Sequence, residues 1–239
     1  APATKALAKA LRDLDAGVRT CAAAALGKIG EPALPAAEAL ADAMGDAEPS
    51  VQLAACATLD DLPLATEKRV GFAARAIESP YSGVRGWGLR LIGEIGERAK
   101  GAEPLLVKAL EDKEANLRRR AAEALGRIGA SEAAIPPLAL AIADGDDGVA
   151  EAAVVALGTF GDKALQPLLD LFLRDDRWLR ASTVFGLLGR KASWGILPLV
   201  KMLRGEDVKL RERAALTLAK MGDPGQEALS AVRSDRDLD

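Results

Sequence analysis

The sequence predicts an all-α protein built from about seven helical hairpins and a partial eighth, stacked side by side. Three observations predict this fold. Alanine, leucine and glycine dominate while aromatic residues make up only 3% of the chain, which favours closely packed helices over a β-sandwich. At 239 residues and 49% hydrophobic content, the chain can bury a core. Finally, apolar residues recur in one pattern about every 32 residues, as in repeat architectures.

Each repeat is marked by a valine or leucine at intervals of 33, 33, 33, 32, 30 and 31 residues: Val18, Val51, Val84, Leu117, Val149, Leu179 and Leu210. An aliphatic residue follows every marker by eight positions: Leu26, Leu59, Ile92, Leu125, Leu157, Leu187 and Leu218. Apolar residues at positions 0, 4, 8 and 11 share one face of an α-helix. We call this predicted helix the B helix of the repeat.

Residues at both ends of the B helices are typical of helix caps. Acidic residues lie three positions before the marker, where a helix begins: Asp15, Glu48, Glu114, Asp146, Asp176 and Asp207. A glycine twelve positions after the marker suits a left-handed C-terminal cap: Gly30, Gly96, Gly129, Gly161 and Gly222. The second repeat departs from this pattern at Asp60 and Pro63, and in the sixth repeat Gly189 is out of frame.

A second helix, the A helix, precedes each B helix, for example over 102–112, 134–144, 164–175 and 196–205. Pro104, Pro136, Pro167 and Pro198 lie near its start, where proline is tolerated. One hairpin cannot bury its apolar stripe, so stacked hairpins must share a core. We therefore expect one repeat domain over residues 1–239, with repeats at about 1–30, 31–63, 64–96, 97–129, 130–161, 162–190 and 191–222, then a partial helix and tail over 223–239.

The stretch "DAGVRTCAAAALGKIG" (residues 15–30) combines Val-Arg, an alanine run and Leu-Gly-x-Ile-Gly. It resembles the HEAT repeat, specifically the HEAT-like type named after phycobilisome lyases, and the resemblance covers residues 4–222. It implies a right-handed α-α superhelix whose B helices line a concave groove. It also implies a non-catalytic scaffold that binds proteins, with lyases as a minority of such families.

Arginines follow the marker directly at Arg19, Arg85, Arg118, Arg180 and Arg211. We interpret them as a ladder of ion pairs with acidic residues in adjacent turns, because a charge that repeats with the fold usually serves the fold. Arg119 and Arg120 lie outside this pattern.

The B-helix face opposite the apolar stripe is the candidate partner-binding surface. Exposed tryptophan and arginine are frequent binding hot spots, and a partner helix or peptide with an apolar side and an acidic side would fit them. Alternatively, the aromatic residues fill space between helices and the arginines are simply solvated. The candidate site residues are Trp87, Arg90, Arg119, Arg120, Glu123, Arg127, Val155, Trp178, Ser182, Phe185, Arg213 and Leu216.

Other classes of function are disfavoured by composition. Histidine is absent and only two cysteines occur, Cys21 and Cys56, so we expect no catalytic residue, metal site or cofactor. The second hypothesis, implied by the resemblance, is a tetrapyrrole (bilin) lyase or a chaperone-like protein. The third is nucleic-acid backbone binding through the central arginines, and the net charge of −3 argues against it. Without an apolar span and with reduced thiols, we expect a cytoplasmic protein, which could be part of a longer chain.

Gly86 and Gly88 predict either a flexible joint or a close-packing site.

Overall fold

The computed structural model describes residues 2–174 and 178–236, and this part of the chain contains helices and no strand. Short 3₁₀ segments precede several of the A helices. The α-helices are α1 Pro2–Ala10, α2 Ala16–Ile29, α3 Ala37–Ala43, α4 Pro49–Asp61, α5 Thr66–Ile77, α6 Ser82–Ile95, α7 Glu103–Ala109, α8 Ala115–Arg127, α9 Ile135–Ala141, α10 Asp147–Gly158, α11 Leu165–Phe172, α12 Trp178–Leu188, α13 Ile196–Leu203, α14 Val208–Lys220 and α15 Asp223–Arg236.

The chain divides into two compact units, Ala1–Ala109 and Leu110–Asp239. The first unit contains the hairpins α1/α2, α3/α4 and α5/α6, followed by α7. The second begins with the B helix α8 and continues with the hairpins α9/α10, α11/α12 and α13/α14, followed by α15. Within each unit successive B helices pack against one another: α2 on α4 and α4 on α6, then α8 on α10, α10 on α12 and α12 on α14. The single continuous array over 1–239 stays a prediction.

The described acidic residues occupy the predicted N-cap positions of the B helices; the three aspartates cap through their side chains, whereas Glu48 and Glu114 make no side-chain cap hydrogen bond. The carboxylates of Asp15, Asp146 and Asp207 accept hydrogen bonds from the third backbone N–H beyond them, at 3.0, 3.1 and 3.1 Å. Each bond satisfies one of the N–H groups that a helix start leaves without a partner. Asp176 lies outside the described residues. At the other end the glycines have positive φ, between 50° and 70°, a conformation that costs glycine nothing and other residues much.

The sixth repeat has a different register from the predicted one. Gly189 has φ +50° and is the capping glycine. The buried Ala181 and Phe185 precede it by eight and four residues, just as Ala153 and Leu157 precede Gly161. The marker position of this repeat is therefore 177, which lies outside the described residues. It is two positions before Leu179, the predicted marker. Leu179 is 55% exposed, so its assignment to the core was wrong.

Glycine also lies where neighbouring B helices approach each other. A Cβ added at Gly126 of α8 would lie 3.2 Å from Cα of Ala156 in α10, and one at Gly186 of α12 would lie 3.1 Å from Cβ of Lys220 in α14. Both glycines are three residues before a capping glycine. The first glycine of the Leu-Gly-x-Ile-Gly pattern thus permits close helix packing, while the second ends the helix.

The arginine ladder is confirmed at two rungs. Arg19 donates from Nε and Nη2 to both carboxylate oxygens of Asp46, each at 2.7 Å, and Arg118 does the same to Asp144 at 2.7 and 2.8 Å. The Nη1 group of each arginine binds two carbonyl oxygens of its own A–B turn. Each of these arginines therefore ties two successive repeats together.

Arg180 behaves differently because of the register of its repeat. Its Nη1 donates at 2.6 Å to the carbonyl oxygens of Ile142 and Asp144. These carbonyl groups follow the end of α9, the A helix of the preceding repeat. A cation here complements the negative end of the helix dipole. Arg180 thus serves the fold, as predicted, although through backbone carbonyls.

Candidate functional site: the B-helix face of the second unit

The B helices of the second unit each present one line of side chains away from their apolar stripe. These residues lie two, six and ten positions after the marker of each repeat, with position 177 as the marker of the sixth. Exposed or half-buried side chains occupy all of these positions: Arg119, Glu123 and Arg127 on α8; Glu151, Val155 and Thr159 on α10; Leu179, Thr183 and Leu187 on α12; Glu212, Leu216 and Lys220 on α14. We call this surface the B face.

A groove of about 420 Å³ lies between α8 and α10 on the B face. Small residues, including Gly126, Ala152 and Ala156, line it together with the longer side chains of both helices. Gly126 lets the two walls of the groove approach closely, since an added Cβ would lie 3.2 Å from Cα of Ala156. Four candidate site residues line it: Arg119, Glu123, Arg127 and Val155.

The charges in this groove are partly paired. Arg119 donates to Glu123 and to the side-chain oxygen of Asn116, both at 3.1 Å, so its charge is shared within α8. Arg127 is exposed at the end of the same helix, and Glu151 is exposed on the opposite wall. Val155 is 63% exposed between these charges. The groove therefore offers an apolar contact flanked by one cation and one anion.

Several predicted site residues lie in the core instead. Phe185 and Ser182 are completely buried, and Phe185 packs against Trp194 with ring centroids 5.7 Å apart. The two-residue shift of the sixth repeat explains this, since it rotates α12 by about 200° relative to the predicted face. Trp87 in α6 of the first unit is 8% exposed and also belongs to the core. For Phe185 and Trp87 the space-filling alternative is the correct one, and Ser182 is buried in the same register as Phe185.

Arg213 and Trp178 form a contact within the second unit. The Arg213 guanidinium carbon lies 5.4 Å from the centroid of the Trp178 ring, within the range of a cation–π interaction. Arg213 is only 8% exposed, and its Nη1 donates to the carbonyl oxygen of Phe172 at the end of α11. Arg213 is thus a structural residue that joins two repeats, and Trp178 is half-buried beneath it.

Arg90 and Arg120 are half-buried. In the first unit, Arg90 of α6 forms ion pairs with Asp60 of α4 and with Glu94. These ion pairs use part of the hydrogen-bonding capacity of the Arg90 guanidinium and connect α6 to α4.

Leu216 is 54% exposed on α14 of the second unit, as predicted for the B face.

Sequence reasoning missed the two leucines that replace Phe185 on the surface. Leu179 and Leu187 are 55% and 59% exposed on α12. The glycine at 189 was the signal that could have placed them, because counting back from it puts both on the B face. Their aliphatic character made them look like core positions.

The cysteines are free thiols in different environments. Cys21 is exposed, while burial raises the pKa of Cys56 to about 12. Cys56 is therefore protonated at physiological pH and is a poor nucleophile. Among the described residues no group of three or more cysteine or acidic side chains could hold a metal ion. No helix in the described part of the chain is both long and apolar enough to traverse a bilayer.

Two family profiles match this chain. The profile for HEAT repeats matches residues 70–153, and that for the PBS lyase HEAT-like repeat matches residues 149–174. Residues 70–174 therefore match HEAT-type repeats. The glycine cap, the A–B hairpin and the packing of successive B helices occur within the matched residues. Among proteins of curated function, none matches this sequence.

Solved structures with a similar fold include an engineered protein, with 20% identity and a TM-score of 0.50 over 95% of this chain and 71% of the other. A chain from the complex of Kap95p with RanGDP matches at 14% identity and a TM-score of 0.65, over 94% of this chain and 35% of that one. The CpcE–CpcF phycocyanin lyase complex of Nostoc sp. PCC7120 matches at 20% identity and a TM-score of 0.50, over 97% and 94%. At these identities, the likeness extends to the HEAT-type helical fold.

Proposed function

We propose that this HEAT-repeat protein is a non-catalytic scaffold that binds another protein through the B face of its second unit. One observation supports the proposal above the others. Arg119, Glu123, Arg127 and Val155, selected from sequence for their position on the repeat, line a single groove between two adjacent B helices. Aliphatic and charged side chains that meet in an open groove are typical of protein-binding surfaces.

Val155 supplies the apolar contact of this groove. Its side chain is 63% exposed, so most of it is open to a partner, and the flanking Arg127 and Glu151 can pair with charges on that partner. A polar rim around an apolar contact is the usual arrangement of a protein interface. Arg119 and Glu123 already pair with each other, so they would contribute shape more than charge.

The test compares proteins captured from an extract of the source cells by the native chain and by a Val155→Asp, Arg127→Glu variant. Each captured protein is then purified, and its Kd for both forms is measured. We expect the variant to bind a specific partner at least about tenfold more weakly, a difference of about 1.4 kcal/mol. Leu140→Asp is the matched control, because Leu140 is 62% exposed on the A helix α9. Equal Kd values for the native and groove variants would exclude the groove.

A bilin lyase remains the catalytic alternative. Co-expression of the chain with a bilin and a phycobiliprotein subunit tests it by absorbance. Covalent bilin attachment that depends on this chain would replace the scaffold proposal.

A further inference from the structure

The B face of the second unit has exposed side chains at three equivalent positions on each of α10, α12 and α14, which we describe as three rows across the helices and three columns along them. The middle row is Val155, Thr183 and Leu216, and the middle column is Leu179, Thr183 and Leu187. Four aliphatic side chains, 54% to 63% exposed, thus surround Thr183. The Thr183 hydroxyl donates to the carbonyl oxygen of Leu179 at 2.9 Å, so its hydrogen-bonding need is met within its own helix. We call these five residues the aliphatic cross.

Charged residues lie on two opposite sides of the aliphatic cross. Glu151 and Glu212 flank Leu179 along the row nearest the starts of the helices. The row nearest the ends of the helices runs from Arg127 of α8 through Thr159 and Leu187 to Lys220. Its two charged members are therefore both basic. All four charged residues are exposed. The aliphatic cross therefore has an acidic rim and a basic rim.

The separation of the two rims matches the width of an α-helix. Eight residues separate the rows along each B helix, which corresponds to about 12 Å at 1.5 Å per residue. An α-helix with its side chains is about 10–12 Å wide. A helix lying along the middle row would therefore contact one rim with each of its edges.

The spacing between the B helices also suits a helix in this position. Closely packed helices such as α12 and α14 lie about 8–10 Å apart, and one heptad of a helix advances about 10.5 Å. Residues seven positions apart on a crossing helix would therefore meet Thr183 and Leu216, while Val155 lies across the looser contact between α10 and α12. An extended peptide would match this spacing only with three residues per step, which places alternate contacts on opposite faces of the strand.

We propose that the partner of the B face is an amphipathic helix that crosses α10, α12 and α14 along the aliphatic cross. This helix has an aliphatic stripe, a basic edge facing Glu151 and Glu212, and an acidic edge facing Arg127 and Lys220. The proposal rests on the proposed function and specifies the chemistry of its partner. It extends the acidic amphipathic partner expected from sequence, because the acidic rim calls for a basic edge as well.

Synthetic helical peptides of about 18 residues, long enough to hold a helix when stapled, test the proposal. Three peptides share one leucine stripe and differ only at their edges: one edge lysine and one glutamate, both edges glutamate, or both edges lysine. A fourth replaces the stripe of the mixed peptide with serine. Fluorescence anisotropy at low salt gives the Kd of each for the full chain. We expect the mixed peptide to bind at least about tenfold more tightly than the other three.

A Glu151→Lys, Glu212→Lys variant makes both rims basic, and it should shift the preference to the peptide with two glutamate edges. The matched control is Glu111→Lys, Glu227→Lys, which makes the same charge change at exposed positions off the B face and should keep the native preference. Leu216→Asp should weaken the mixed peptide by at least about tenfold. Every substitution is at an exposed position, so circular dichroism melts should coincide with the native one.

Equal binding of the three edge patterns, or an unchanged preference after the rim substitution, would overturn the proposal. So would a concentration-dependent dimer that Leu216→Asp abolishes in sedimentation, because the occupant would then be a second copy of the chain. If a natural partner needs Val155 for binding but the mixed peptide does not bind, the crossing amphipathic helix is refuted and the proposed function stands. Binding of the mixed peptide without any Val155-dependent partner would refute the function alone.

Discussion

Arg118 binds both carboxylate oxygens of Asp144, with Nε and Nη2 at 2.7 and 2.8 Å, and so joins α8 to the turn before α10. The same arginine also donates to the carbonyl oxygens of Asp112 and Lys113. The side chains of Arg118 and Asp144 are only 20% and 12% exposed. Arg119, the residue after Arg118, belongs to the B face, and its side chain is 43% exposed. Arg118 therefore serves the fold, while Arg119 belongs to the candidate binding surface.

Replacing these two arginines separately should show the difference. Arg118→Ala removes both guanidinium hydrogen bonds from the mostly buried Asp144 carboxylate, which retains the hydrogen bond from the backbone N–H of Asp146, and should lower the free energy of unfolding by about 2 kcal/mol. Arg119→Ala removes a half-exposed pair with Glu123 and should cost less than about 0.5 kcal/mol. Urea denaturation measures both. Equal losses would contradict the assignment of Arg118 to the fold.

Asp144 makes the stability contribution of this pair dependent on pH. Hydrogen bonds from Arg118 hold the pKa of Asp144 below its usual value, against the opposing effect of burial. A lowered pKa in the folded state stabilises the protein above the unfolded pKa of about 3.9, and this stabilisation is lost as pH falls through the folded pKa.

We therefore expect Asp144→Asn to destabilise the protein at pH 7, and its difference from the native chain to shrink below about pH 4. Urea titrations at both pH values provide the measurement. Glu111→Gln, at an exposed position, is the control and should match the native chain throughout. A difference that does not shrink at all between pH 7 and pH 3 would mean that the Asp144 charge is not responsible.

Gly88 is a close-packing site. A Cβ at this position would lie 2.6 Å from the carbonyl oxygen of Ala73 in α5, whereas one at Gly83 in the same helix meets nothing within 4 Å. Gly88→Ala should destabilise the protein by about 2 kcal/mol through overpacking. Gly83→Ala should stabilise it by up to about 1 kcal/mol, because alanine favours the helix. Thermal unfolding of both variants distinguishes a close-packing site from a flexible joint. If Gly88 were a flexible joint, alanine would stabilise the protein at both positions.

Phe185 and Leu187 test the register of the sixth repeat. Phe185→Ala should lower the free energy of unfolding by about 4 kcal/mol, since it empties a fully buried position. Leu187→Ala, at 59% exposure, should change it by less than about 0.5 kcal/mol. Chemical denaturation of the two variants gives both values. A larger loss at Leu187 would restore the register predicted from sequence.

The fold could be predicted in detail because its signals are local. A recurring apolar stripe, an acidic N-cap and a glycine with positive φ each act within one helix, so Asp146 and Gly161 behave as their positions indicate. The arginine ladder was also predictable, because its partners recur with the same period. The B-face positions of Arg127, Val155 and Leu216 follow from the same arithmetic.

Tertiary structure decided between two registers that the sequence offered for α12. The spacing of the markers favours a buried Leu187 and the position of Gly189 favours a buried Phe185, and the packing of α12 on its neighbours selects the second. The groove at Gly126 likewise depends on tertiary structure, because its two walls belong to different repeats. The sequence by itself determined the repeat and the ends of its helices, since these depend on contacts within a few residues; the choice of surface depended on contacts between repeats.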